Sequence, residues 1–297
     1  MNADSPPVSS PPPAPARLAV PTPRLAPLAR FPVVFTWGIR RLFKTKKFIF
    51  TGVIVAGLSV LAGLGIAGSR DPARELWTFL GTPALGVCVP LIALALTAGG
   101  FGEEVAEQTL VFHLVRPVSR TTLFVGRFAA GLLPAIVAAS ALCLITTMLS
   151  GVGVPIRALG ACVLCAAVGV SVVGAIYYAL AALFRRGLVA GLVYTFVIEG
   201  FFQFIPGSVQ KLALTHHIRS LFHRWVDDDF ATLSSRVAAE IRRGNTAVIR
   251  PKSIRDLVTP EPWSSIPDAL LICGIVAVLA LLLGAWTVRR RDFALKD

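Results

Sequence analysis

His216, His217 and His223 precede the run Asp227-Asp228-Asp229, and imidazoles and carboxylates one or two helical turns apart are the residue types that ligate a divalent metal. The competing reading is a solvated polar face of an amphipathic helix, with the aspartates near a helix terminus, and the surrounding sequence favours it. Cys162-x-x-Cys165 has the spacing of a redox or metal pair, yet Ala, Val, Leu and Gly surround it and no second pair follows. Cys88, Cys143 and Cys273 also lie in apolar runs, where cysteine behaves as a small hydrophobe and implies no disulfide framework. No Gly-x-x-x-x-Gly-Lys-[Ser/Thr] occurs, and Lys44-Thr45 and Lys252-Ser253 lack the preceding glycine, so the chain supplies no phosphate-cradling loop of its own.

Two acidic features remain. Glu199 is the only acid inside an apolar run long enough to cross a bilayer; a carboxylate there is costly and marks a candidate transport path, or it caps a helix close to the interface. Glu103, Glu104 and Glu107 open a charged, amphipathic insert between two hydrophobic runs. Val105, Leu110 and Leu114 form an apolar stripe along it, the three glutamates crowd a first helical turn where the helix dipole favours acids, and Pro117 ends the helix.

The elements that must position these residues follow from composition. The chain has 297 residues, 55% of them hydrophobic and 15% charged, and its uncharged runs reach the ~20 residues that a membrane-crossing helix needs. An all-α integral membrane protein is expected. Six spans are predicted: 48–67, 83–101, 128–149, 158–184, 188–205 and 269–288. Residues 1–30 read as a disordered Pro-rich tail, and 31–47 as a basic amphipathic interfacial helix. Residues 48–205 hold spans one to five, including the charged loop 102–127. Residues 206–268 are one large extramembrane segment with two amphipathic helices, and 269–297 hold span six and a basic tail.

The formal charge of +13 is read as topology, because the basic residues cluster beside hydrophobic spans and no nucleic-acid motif interleaves aromatic and basic residues. Arg40, Arg41, Lys44, Lys46, Lys47, Arg116, Arg120, Arg127, Arg185, Arg186 and Arg289 to Arg291 fall on one side of a six-span chain. The opposite short loops carry Arg70, Arg74 and Arg157. The positive-inside rule then places both termini in the cytoplasm, the membrane being a bacterial inner membrane, and 206–268 outside the cytoplasm. Gly151 to Pro155 and Arg185-Arg186-Gly187 are each short enough to join antiparallel neighbours.

The segment Glu103-Glu104, Thr109-Leu110, Leu114-Val115-Arg116-Pro117-Val118-Ser119-Arg120 and Gly126-Arg127 resembles the cytoplasmic signature of type-2 ABC transporter permeases. That signature runs from an acidic pair through Gly-Thr-Leu to Arg-Pro-Val-Ser-Arg and a Gly-Arg or Gly-Lys; Gln108 stands here where the family usually has glycine. Arg290-Arg291-Asp292-Phe293 is similar to the family's ending. The resemblance implies a coupling helix, with Glu103, Glu104, Glu107, Thr109, Leu110, Leu114, Arg116, Pro117 and Arg120 docking in a groove of a cytoplasmic P-loop ATPase subunit. It further implies a second permease, the same chain or a paralogue, and ATP and Mg bound by the ATPase with no cofactor in this chain. The expected function is that of a non-catalytic permease subunit of an exporter. The alternative is a membrane subunit that passes ATP-driven motion to a periplasmic or envelope partner through 206–268. Glu103-Glu104 with distant histidines also resembles the Glu-Glu-x-x-x-Arg pattern of intramembrane metalloproteases, but Gln108 replaces the arginine and His223 lies in the long polar loop.

Overall fold

The computed structural model describes residues 27–98, 120–184, 186–201, 213–225 and 265–290, and all secondary structure among them is helical. The coupling segment from Glu103 to Ser119 lies outside the described residues, as do the tail 1–26, the greater part of 206–268 and the basic ending 291–297.

Helix α1 (Pro27–Lys44) stops at Thr45, whose extended backbone (φ −82°, ψ 129°) breaks the ladder before α2 (Lys46–Ala67). The Thr45 hydroxyl donates to the Arg41 carbonyl at 3.0 Å, satisfying one of the acceptors that a helix end leaves open. Helix α3 (Pro72–Ala98) begins where Asp71 accepts a hydrogen bond from the Arg74 N–H at 3.3 Å, with Pro72 in the first turn and Glu75 beside the N-terminal dipole. Hydropathy placed its start at Pro83, because Arg74 and Glu75 interrupt the apolar run. The helix is longer: its 27 residues rise about 40 Å, more than the ~30 Å of a hydrocarbon core, which leaves room for the charged first turn with Arg74 and Glu75 outside such a core. Pro83 and Pro90 lie inside α3, and π-helical turns over Leu80–Cys88 and Leu94–Ala98 widen it. A wide turn absorbs the ladder bond that proline cannot make.

Helices α4 (Arg120–Leu149) and α5 (Ile156–Leu183) form the expected hairpin. Gly151 turns the chain at φ +67°, a left-handed conformation that favours glycine, and Ser150 accepts from the Val152 N–H at 3.4 Å. Helix α6 (Gly187–Gly200) follows a short link. A Cβ at Gly187 would sit 2.3 Å from the Ala181 Cα, so only glycine allows α6 to fold back so closely on α5. Helix α7 covers residues 214–225, and α8 (Ile266–Arg290) starts with Ser265 accepting from the Asp268 N–H at 3.3 Å.

Helices α2, α3, α4, α5 and α8 are each long and apolar enough to cross a membrane. Over the fifth predicted span, 188–205, the described helix is α6, which is apolar but shorter than a crossing needs, and 202–205 lie outside the described residues. Helix α5 is the axis of the bundle, packed by α3, α4, α6 and α8. Its buried side is mostly small: Ala161, Ala166, Gly169, Gly174, Ala175, Ala181 and Ala182 let neighbouring backbones approach, which is how helices associate in lipid, where apolar side chains gain little by leaving the solvent. By contrast α2 and α8 expose Ile49, Phe50, Val53, Leu61, Leu271, Leu279 and Leu282, side chains matched to acyl chains.

Candidate functional site: a buried carboxylate at a helix break

Glu199 lies near the end of α6 and is 1% exposed. One carboxylate oxygen accepts from the Tyr194 hydroxyl at 3.0 Å and the Leu214 N–H at 3.2 Å. The other accepts from the Thr215 N–H at 2.9 Å and the Thr215 hydroxyl at 2.5 Å. All four contacts are donated to the carboxylate, the acceptor-only pattern that group offers. Two come from the first N–H groups of α7, so Glu199 caps α7 from a different element and places negative charge at the positive end of its dipole.

The depth of this cap follows from its neighbours. On α6, Gly191 faces Tyr177 of α5 and Leu94 of α3, and Glu199 lies two turns further on. On α7, one turn past the cap, Ile218 packs on Gly169, which Val89 of α3 also approaches; Gly169 is half-way along α5. A further turn on, Phe222 and His223 close over Gly81, and Phe222 lies 6.0 Å from Trp77 between ring centroids, in the part of α3 nearest Pro72. Helix α7 thus starts at mid-depth in the bundle and runs toward the end where α3 begins. Helices α6 and α7 are two half-length pieces that meet at Glu199.

A break at that depth requires protein, not lipid, around the freed backbone groups. The site meets that requirement: Leu214, Thr215, His216, His217, Ile218, Ser220, Leu221 and Phe222 are all buried. Tyr177 extends the polar network along α6, its hydroxyl 2.6 Å from the Thr195 hydroxyl, which in turn donates to the Gly191 carbonyl at 2.8 Å. Thr195 has one proton to give, so Tyr177 is the donor to it. Arg219 reaches back to α3, donating to the Thr82 hydroxyl at 3.4 Å.

The histidines are therefore not on a solvated face. His216 is 6% and His217 3% exposed, and the sequence reading of that face is corrected here. The physical reason is that Ile218, Leu221 and Phe222 would each forgo about 2 kcal/mol if α7 stood free in water, and burying them carries their polar neighbours inside. His216 and His217 meet edge to face at 5.6 Å, while His223 is two turns away against Gly81. Among the described residues no group of three or more His, Cys, Asp or Glu could hold a metal. Cys162 and Cys165 are free thiols in the apolar core.

Sequence reasoning singled out Glu199 but not Thr215, Tyr194, Tyr177 or Thr195. The available signal was weak: a lone acid in an apolar run, followed by Thr215-His216-His217 inside another largely apolar stretch. Of the ATPase-coupling candidates, only Arg120 falls among the described residues, at the first position of α4, and the others lie outside them. What the arrangement around Glu199 does chemically is fix a helix terminus inside the bundle. No family model matches the chain, and no curated protein shows significant similarity to it.

Proposed function

We propose that this chain is the membrane subunit of an ATP-driven transporter of the type-2 ABC permease kind, moving its substrate with force supplied by a separate cytoplasmic ATPase. The observation that carries the proposal is the sequence from Glu103 to Arg127, an acidic cluster followed by Arg116-Pro117-Val118-Ser119-Arg120, set between two apolar helices. On this reading the segment is a coupling helix on the cytoplasmic side, α6 and α7 together make up the remaining crossing, and the active complex pairs two permeases with two ATPases. The chain performs no covalent chemistry; ATP and Mg belong to the ATPase.

The broken α6–α7 pair supports a moving role. Half-helices that meet inside a bundle are elements that can change register without unravelling a full span, and Glu199 is the clamp that holds this pair in one arrangement. In the alternative mechanical role, in which residues 206–268 engage an envelope partner, the contact would not fall to 213–222, which are almost wholly turned into the bundle.

Replacing Glu104 or Arg116 with alanine tests the proposal. The expected outcome is loss of the co-purifying ATPase, or ATP hydrolysis no longer stimulated by substrate. A chain that purifies with no ATPase from its native membrane, and whose E104A and R116A variants behave as the wild type, would rule the reading out.

A further inference from the structure

At the opposite end of the bundle from Asp71, Glu75 and Asp268, α1 crosses α4 at close range. A Cβ at Gly38 would lie 2.7 Å from the Ala130 Cβ, and one at Gly126 would lie 2.8 Å from Val34 Cγ1, so two glycines allow the contact. The approach brings Arg127 of α4 over Trp37 of α1, its guanidinium carbon 4.6 Å from the indole centroid, and Arg41 reaches the same ring at 5.6 Å. Two guanidiniums from different helices thus converge on one aromatic ring. Cation–π contact orients them, and their combined field attracts an anion. A guanidinium is weakly hydrated and forked, which suits it to phosphate oxygens at a partly desolvated site.

The location specifies which phosphate. Trp37 is 38% exposed, and Val33 (67%) and Phe43 (55%) present apolar surface on the same helix. Gly284 of α8 packs on Phe124 of α4, which brings the α8 end with Trp286 close to the level of Arg127; Arg290 lies 4.4 Å over the Trp286 ring. Paired tryptophan and arginine at one depth are what a chain places at the boundary between acyl chains and headgroups. An anion arriving there with apolar surface beside it is a lipid.

We propose that α1 and α4 form a binding site for the phosphate headgroup of an anionic phospholipid, held by Arg41 and Arg127 beside Trp37. The site is independent of the transporter reading. Each guanidinium near an anionic lipid surface strengthens association roughly fivefold. Purified full-length chain is loaded with phosphatidylglycerol or phosphatidylcholine in detergent, and lipid retained per chain is read by native mass spectrometry. The wild type is expected to retain phosphatidylglycerol in preference, R41Q/R127Q to lose that preference, and R70Q/R74Q, with the same charge change at the other end, to keep it. Equal loss in both double variants, undiminished retention in R41Q/R127Q, or displacement of the lipid by inorganic phosphate overturns the proposal.

A second measurement needs no arginine variant. Quenching by brominated phosphatidylglycerol, taken as the difference between wild type and Trp37→Phe in vesicles, should exceed that by brominated phosphatidylcholine at equal mole fraction. Equal quenching by the two lipids overturns the proposal as well.

Discussion

Glu199 stabilises the bundle through bonds that cross from α6 to α7, so its replacement tests the α6–α7 junction directly. Glu199→Ala leaves the Leu214 and Thr215 N–H groups and two hydroxyls to find new acceptors in a buried site. A loss of about 3 kcal/mol is expected, the size seen when charge-assisted bonds are removed and their partners stay buried. Glu199→Gln retains one acceptor oxygen but turns an amide N–H₂ toward donors, and a loss of about 1–2 kcal/mol is expected. Thermal unfolding of the two variants in detergent should rank them in that order, and an E199A midpoint equal to wild type would remove the cap from the account. That Glu199 matters could be read from a lone acid in an apolar run. Its partners could not be read, because the cap joins residues 15 and 16 positions apart through the tertiary fold, not the adjacent-residue pattern of a helix start.

At the scale of elements, close approach separates glycines that are required from those that are merely present. A Cβ at Gly131 would lie 2.7 Å from the Leu96 carbonyl oxygen and 3.1 Å from the Thr97 Cα, both backbone atoms of α3 that cannot swing aside. Gly131→Ala is therefore expected to cost about 1–3 kcal/mol through overpacking. Gly57 on α2 has open space around its Cβ position, and Gly57→Ala should be neutral or gain up to ~1 kcal/mol from helix propensity. Comparing the two midpoints checks the α3–α4 contact; equal effects would refute it. Element existence was legible for α2, α4, α5 and α8, whose apolar runs reach the length of a crossing. Element ends were not, since α3 starts at Pro72 by local capping at Asp71, which hydropathy averaging hides.

For the whole molecule, the proposed orientation places the turn at 151–155 outside the cytoplasm and the turn at 184–187 inside it. A membrane-impermeant maleimide applied to intact cells should label Gly153→Cys and leave Phe184→Cys unlabelled, with the reverse in inverted membrane vesicles. The native thiols Cys143, Cys162, Cys165 and Cys273 are buried, and the half-buried Cys88 is replaced by alanine in both variants to keep the background low. Labelling of Phe184→Cys from outside would invert the topology, and with it the assignment of Glu103 to Arg120 to the ATPase side. The same orientation places Trp37, Arg41 and Arg127 at the cytoplasmic leaflet, where anionic lipid surface potential is concentrated.

Composition and hydropathy by themselves determined that the chain is helical and built for a membrane, because an apolar run of ~20 residues has few other stable states. The short turn from Gly151 to Pro155 also determined that α4 and α5 are antiparallel neighbours, since it leaves no room for a longer connection. Only the tertiary structure decided where α7 lies. A helix with Ile218, Leu221 and Phe222 on one side and His216, His217 and Arg219 among them reads as half-solvated from its periodicity. It is buried because α5 offers Gly169, α3 offers Gly81, and Glu199 reaches its N-terminus, three features that lie far apart in sequence and meet only in the folded bundle.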